Sequence, residues 1–294
     1  MAGTTTRWRA LIARLPEFRW NPGAAWLLCP PVTLDAVQQA MERDTDIAAI
    51  ILEPTGAHYG QLPFDVVAYL SGLRDLCDRH GVVLIFDEVV TGFRASPGGA
   101  QVRFGISPDL TTMAKIVAGA LPGGAVGGKS EIVDMIAQRG DPDWDNTQRV
   151  YHPGTFNGNP LSAVAGATCL ELIAAEPINQ RADAMAARLK TGLNDVFSRM
   201  EVSGHAYGIA SMIHYTLAEG DFDREFGPEV NRRIKSAAAT PAVTAIKRGL
   251  QNRGIDIMGR DALLVSATHV EADIDQTLAA FEATLAQVRD EGLF

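Results

Sequence analysis

Cysteine is scarce in this chain: Cys29, Cys77 and Cys169 are the only three in 294 residues, and none sits in a C-x-x-C spacing. That excludes a disulfide scaffold and a thiolate zinc or dithiol site, so no metal centre is expected. It also points to a reducing compartment, the cytoplasm. Positive charge is short as well, with 26 Lys and Arg against 35 Asp and Glu and a net charge of −9. The long-range field therefore repels phosphate backbones and anionic lipid, and no nucleic-acid partner is expected. Long apolar runs are missing too. The weakly charged stretch Leu110–Gly128 is broken by Lys115, Pro122 and several glycines, short of the ~20 apolar residues a spanning helix needs. Arg7, Arg9 and Arg14 interrupt the N-terminal apolar residues, unlike a signal peptide. The sequence thus offers neither an address nor a membrane anchor. It does offer 47% hydrophobic residues, enough for a large core or two adjoining ones.

Between Asp46 and Asp87 the pattern is a short apolar run, an amphipathic stretch and a second short apolar run. Ile47–Leu52 carries three isoleucines and stops at Glu53-Pro54, which reads as a buried strand. Residues 65–80 place Leu73, Leu76 and Cys77 at helical spacing, and Gly81 stands where a left-handed cap is wanted. Val82–Phe86 is a second buried strand. Together these make a βαβ unit, and a mainly parallel sheet with helices on both faces is expected. In such sheets ligands bind beyond the carboxyl ends of the strands. Both strands end in acids, Glu53 on one and Asp87-Glu88 on the other; an acid there can also simply mark where the chain meets water. Farther on, residues 160–172 and 182–200 read as helices. Met185, Leu189, Leu193, Val196 and Met200 form a core stripe on the second. Strands are expected at Ser211–Leu217 and Leu263–Ser266. Thr268-His269-Val270-Glu271 has capping-box spacing ahead of a final amphipathic helix. The expected organisation is an α/β large domain over residues 1–172 and a smaller α+β domain over 173–294.

Two motifs compete for the chemistry. Gly123–Ser130 satisfies the phosphate-loop pattern G-x-x-x-x-G-K-[ST], with Lys129 as its lysine. The residues before it end in Leu121-Pro122, a poor strand terminus, and the Asp-Glu strand precedes the loop rather than following it. The alternative is a glycine-rich connection whose Lys129 caps an exposed turn. The second motif centres on Lys115, the only charged residue between Asp109 and Lys129. Apolar neighbours are expected to desolvate it, favouring the neutral amine and so a nucleophile toward aldehydes; the bland alternative is a lysine snorkelling to the surface.

Three segments carry a family resemblance: Phe86-Asp87-Glu88-Val89-Val90-Thr91-Gly92-Phe93-Arg94; Pro108–Lys115 followed by Gly119-Ala120-Leu121-Pro122-Gly123-Gly124; and His152-Pro153-Gly154-Thr155-Phe156-Asn157-Gly158-Asn159-Pro160. They resemble the signatures of class III, fold type I, pyridoxal-phosphate-dependent aminotransferases, most of all the glutamate-1-semialdehyde 2,1-aminomutase branch. The likeness runs from about Asp46 to Gly166 and resumes weakly at Leu263–Leu278. It implies pyridoxal 5'-phosphate as cofactor, Lys115 as the Schiff-base lysine and proton carrier, and Asp87 as partner of the pyridine nitrogen. Val89 would pack on the ring face. Thr155 would bond the cofactor phosphate, commonly from a neighbouring subunit, which implies a homodimer. The substrate would be a small amino/keto or amino-aldehyde compound, with Glu53, His58 and Tyr59 near it and residues 206–222 as a further place for substrate choice.

Members of the family carry a longer N-terminal region with a phosphate-gripping Gly-Ser/Thr loop and an aromatic residue that stacks on the ring. Neither is recognisable in residues 1–45, so the large domain is expected to be incomplete at its N-terminus. Aminomutase and transaminase chemistry use the same lysine and aspartate, and both stay open. A non-catalytic aminotransferase-like chain acting through association, and a P-loop NTPase built on Gly123–Ser130, are the alternatives from other classes.

Overall fold

In the computed structural model the described residues are 9–12, 26–28, 33–55, 65–222, 224–225, 228–259 and 261–294. The chain divides into two compact units. The first comprises Met1–Pro54, Val67–Phe93 and Gly98–Leu172; the second comprises Thr55–Val66, Arg94–Pro97 and Ile173–Phe294.

The first unit opens with strands β1 (Arg9–Ile12) and β2 (Trp26–Leu28) and helix α1 (Leu34–Arg43). Thr33 starts α1 by accepting the Ala36 N–H on its hydroxyl at 3.2 Å, satisfying one of the donors a helix start leaves free. The expected βαβ unit follows as β3 (Ile47–Leu52), α2 (Val66–His80) and β4 (Val83–Glu88). Helix α2 buries Tyr69, Leu70, Leu73, Leu76 and Cys77, the stripe its sequence spacing announces. It ends at Gly81 with φ +67°, a conformation that favours glycine. After β4 come the short helix α3 (Gly99–Phe104), β5 (Leu110–Ala114), β6 (Gly124–Gly128), the one-turn helix α4 (Ser130–Val133) and helix α5 (Pro160–Ala175). The sheet order is β2-β1-β3-β4-β5-β6. The first five strands run parallel and β6 antiparallel to β5.

Strand β6 overturns the phosphate-loop reading. Gly124–Gly128 is paired with β5 from Ala114↔Gly124 to Leu110↔Gly128, so its backbone groups belong to a sheet ladder rather than to an open cradle. Lys129 is committed as well, since its Nζ lies 2.7 Å from Asp109 Oδ1. Asp109 Oδ2 accepts the Leu84 N–H at 2.6 Å and an Arg74 Nη1–H at 2.9 Å. One buried carboxylate thereby ties β4, α2 and the end of β6 together.

In the second unit, α6 (Ile178–Arg199) buries Leu189, Leu193 and Val196 of the expected stripe, with Met185 and Met200 packed against the same core. Strands β7 (His205–Ile209) and β8 (Met212–Thr216) form a hairpin. Helices α7 (Pro228–Ala238) and α8 (Pro241–Gln251) follow, then β9 (Ala262–Leu264) antiparallel to β8, and α9 (Glu271–Asp290). Two details depart from the sequence reading. The cap of α9 lies at Val270, whose N–H donates to Asp273 Oδ2 at 2.9 Å, because Thr268 and His269 are used in a turn on Ser266. The 206–222 stretch is largely core, with Ala206, Tyr207, Ile213, Tyr215 and Phe222 buried, and reaches the surface at Glu219 and Gly220. Among the described residues no single helix is long and apolar enough to cross a membrane.

Candidate functional site

Because β3, β4 and β5 are parallel neighbours, their carboxyl ends lie along one edge of the first unit, each ending in a chemically capable residue. Glu53 follows β3, and Leu52 is paired with Phe86, the residue before Asp87. Asp87 is paired with Thr112 on β5, and Lys115 comes three residues later, just past the end of that strand. Strand geometry puts the Asp87 and Lys115 backbones about 10 Å apart along the strands and about 5 Å across them.

Alternation along β4 separates its two acids. Leu84, Phe86 and Glu88 are buried on one face, while Val83, Ile85 and Asp87 are half-buried on the other. Asp87 Oδ1 accepts the Val89 N–H at 3.1 Å and the Thr112 hydroxyl at 3.4 Å. Its Oδ2 accepts nothing among the described residues. Glu88, by contrast, is saturated: it accepts the Thr91 hydroxyl at 3.1 Å and the N–H groups of Ala100 at 2.6 Å and Gln101 at 3.5 Å. Burial pushes the Glu88 carboxyl above the usual carboxylate range, against the pull of those donors. Gly99 makes room for it, since a Cβ there would stand 2.4 Å from Glu88 Oε2. Glu88 therefore fastens the start of α3, and its acid ends a strand without meeting water.

Lys115 has a left-handed backbone, φ +53°, and opens the 3₁₀ turn Lys115–Ala118. It is exposed, which corrects the expected desolvation. The ladder ends one residue before it, at Ala114 paired with Gly124 of the glycine-rich segment, which brings no side chain toward the start of the turn. Its amine makes no hydrogen bond or ion pair among the described residues, whereas Lys129 pairs with Asp109 and Lys247 bonds the Gly259 carbonyl.

The remaining expected residues are placed as follows. Val89 is half-buried, directly after β4 and bonded through its N–H to Asp87. Glu53 is half-buried at the end of β3. Thr155 lies on an exposed loop before α5 that the sheet does not carry. That loop is shaped by Asn157, whose side chain bonds the His152 carbonyl at 3.2 Å, and by Asn159, whose Oδ1 accepts the Leu161 N–H at 2.9 Å. His58 and Tyr59 lie outside the described residues. Among the described residues no group of His, Cys, Asp and Glu could hold a metal ion. Sequence reasoning missed Thr112, the hydroxyl beside Asp87, and Asp109, the clip under the site. The ladder pairing of Thr112 has no sequence signal, but an aspartate next to Pro108 and ahead of the Thr-rich stretch was visible.

The family profile described as Aminotransferase class-III matches residues 31–222. Over 260 residues the chain is 38% identical to a glutamate-1-semialdehyde 2,1-aminomutase of Syntrophobacter fumaroxidans, covering 87% of this chain and 56% of the relative. The chain thus spans a little over half the length of the curated relatives it matches. Among solved structures, an omega-transaminase from Sphaerobacter thermophilus superposes with a TM-score of 0.81 at 26% identity, covering 96% of this chain and 69% of that one. A glutamate-1-semialdehyde aminomutase from Pseudomonas aeruginosa, solved in complex with PMP, shares the fold with a TM-score of 0.79 at 19% identity, covering 96% and 67%. The architecture is that of the fold type I transferases: the mainly parallel sheet with its one antiparallel strand, and a smaller antiparallel sheet apart from it. With the matched profile spanning most of its described length, the chain belongs to the class III aminotransferase family.

Proposed function

We propose that this chain carries the amino-group transfer site of a pyridoxal-phosphate-dependent enzyme of the aminomutase or class III transaminase kind. One observation carries the reading: at the carboxyl ends of adjacent parallel strands stand a lysine amine and a carboxylate oxygen, Lys115 Nζ and Asp87 Oδ2, both without partners among the described residues. Donor chemistry supports the fit. The Asp87 carboxylate, with Oδ1 already oriented by Val89 and Thr112, has its second oxygen available to a protonated ring nitrogen. The Lys115 amine is available to an aldehyde.

When bound, pyridoxal phosphate supplies an aldehyde and an electron-accepting ring. Asp87 holds the proton on the ring nitrogen. Lys115 would hold the aldehyde and would serve as base and acid for the proton at the substrate's α-carbon. Val89, anchored to Asp87, packs on the ring face. Thr155 would donate its hydroxyl to the cofactor phosphate in a neighbouring subunit's site. Tyr151 and Phe156, exposed by 75% and 79% beside it, support a homodimer, since exposed apolar groups of this size favour association. Residues 1–172 form the cofactor-binding domain and 173–294 the small domain. The substrate class is a small amino/keto or amino-aldehyde compound, met near Glu53, His58 and Tyr59, in the cytoplasm.

The test is an absorption titration of the purified protein with pyridoxal phosphate, before and after borohydride. Wild type is expected to develop a visible band that borohydride fixes covalently at Lys115, and Lys115→Ala to lose that label and keep only the slow labelling of its other lysines. A wild type without a band, or a Lys115→Ala variant that fixes as much cofactor as wild type, refutes the assignment.

A further inference from the structure

The turn that carries Lys115 is held from behind by α5. It closes at Gly119, φ +57°, whose N–H donates to the Ile116 carbonyl at 3.0 Å. Two glycines then let turn and helix meet backbone to backbone. A Cβ on Gly119 would stand 2.4 Å from the Ala165 carbonyl oxygen. A Cβ on Gly166, on the facing side, would stand 2.2 Å from the Val117 carbonyl oxygen and 3.3 Å from Ala118 Cα. One turn earlier on α5, the Ser162 hydroxyl donates to the Pro122 carbonyl at 2.7 Å and fastens the far end of the same loop. Ala118 is buried between these contacts.

Gly166 occupies the interior of a sixteen-residue helix, where glycine is the weakest helix former apart from proline. Its surroundings give the reason. The atoms a side chain would meet belong to the backbone of the Lys115 turn, so no rotamer change could clear them. Seating a methyl group there requires turn and helix to part by about 1 Å. That displacement falls two residues from Lys115, whose left-handed φ leaves little freedom to compensate.

We infer that Gly166 is a positioning residue for the Lys115 amine: the backbone contacts of Gly166 with Val117 and of Gly119 with Ala165 set where that amine stands relative to Asp87. This rests on the role proposed above for Lys115. It assigns part of the site to α5, an element that bears none of the expected catalytic side chains.

The test is the rate at which pyridoxal phosphate and borohydride label each lysine of the full chain, read by peptide mass spectrometry, for wild type, Gly166→Ala and Ser162→Ala. Lys190 and Lys247 in the second unit serve as internal standards. Gly166→Ala is expected to slow labelling at Lys115 about tenfold or more, up to the roughly hundredfold that a displacement near 1 Å can cost, and to leave the two standards unchanged. An unchanged rate at Lys115, or a fall shared by the standards, overturns the inference while leaving the proposed function standing. Should Gly166→Ala not fold, Ser162→Ala decides: a slowing confined to Lys115 supports the inference, and an unchanged rate overturns it. If wild-type Lys115 itself takes no label, the functional reading fails and this inference fails with it.

Discussion

Replacing Asp109 tests the account of what holds the site's strands together. Its carboxylate accepts the Leu84 N–H and an Arg74 N–H and pairs with Lys129. Asp109→Ala leaves the Leu84 N–H buried without an acceptor, which costs about 1–3 kcal/mol. Arg74 keeps Asp78 at 2.7 Å, so its loss is partial. Lys129 is exposed and adds little. The sum is a destabilisation of about 3 kcal/mol, at the lower end for breaking a buried charge network, measured as a urea unfolding free energy at pH 7. A dependence on pH follows. Burial pushes the Asp109 carboxyl up, but the Lys129 ammonium, the Leu84 N–H and Arg74 together outweigh it and hold the group below the usual aspartate range. A carboxylate depressed in the folded state stabilises fully above its unfolded value of about 3.9. It loses that contribution as pH falls through the folded value. The gap between wild type and Asp109→Asn should therefore be whole near pH 6 and close progressively below about pH 4. A loss under 1 kcal/mol for Asp109→Ala, or a gap that widens in acid, refutes the reasoning.

Four further outcomes are expected. Lys115→Gly should be more stable than Lys115→Ala by about 1 kcal/mol in a urea melt, because alanine keeps the cost of the left-handed backbone at φ +53° and glycine does not; equal stability would show that the turn relaxes. Asp87→Asn should still accept a borohydride-fixed label at Lys115 while lowering turnover by about a hundredfold or more, as loss of the partner to the ring-nitrogen proton implies. Cys77, whose thiol burial pushes up to about 12, should resist iodoacetamide at pH 8 in the folded protein, whereas the half-exposed Cys169 reacts. Arg94→Met should destabilise the second unit by about 2 kcal/mol, since the half-buried guanidinium donates to Ser211 Oγ at 2.9 Å and to the Val265 carbonyl at 3.0 Å; a differential scanning trace with an unchanged transition would contradict this.

Legibility in the sequence followed the strength of local patterning. Ile47–Leu52, the helix ending at Gly81, and the strand that follows could be read because apolar runs of strand length alternate with a helical stripe and a glycine cap. Strands β5 and β6 could not, because Leu-Thr-Thr-Met-Ala and Gly-Ala-Val-Gly-Gly carry no alternation. What makes them strands is pairing with each other and with β4, a tertiary fact. The phosphate-loop pattern misled for the same reason: G-x-x-x-x-G-K-[ST] specifies letters, and the ladder with β5 decides their conformation. Strand β7 was hidden by Gly208, at φ +128° and too close to the Met212 carbonyl for any side chain. For the proposed site, motif likeness singled out Asp87, Lys115 and Val89, and the structure sets Asp87 and Lys115 at the ends of neighbouring strands. The exposure of Lys115 was not, since an apolar sequence neighbourhood says nothing about which way a strand end faces.

The two sets of constraints found around β5 act on the same residue from opposite directions. Toward the amino end of the strand, Asp109 fixes β5's neighbours by a charge network that spans α2, β4 and Lys129. Toward the carboxyl end, Gly119 and Gly166 fix the departing turn by contact of backbone on backbone. Lys115 sits between the strand and that turn in a conformation an L-residue adopts only when its surroundings impose it. A lysine serving only solvation gains nothing from this conformation, which costs an L-residue about 1–3 kcal/mol wherever it is imposed. Backbone strain beneath an exposed amine that has no partner among the described residues, opposite a carboxylate with one oxygen to spare, supports the tether proposed for Lys115 and sets it apart from the other lysines, none of which has a positive φ.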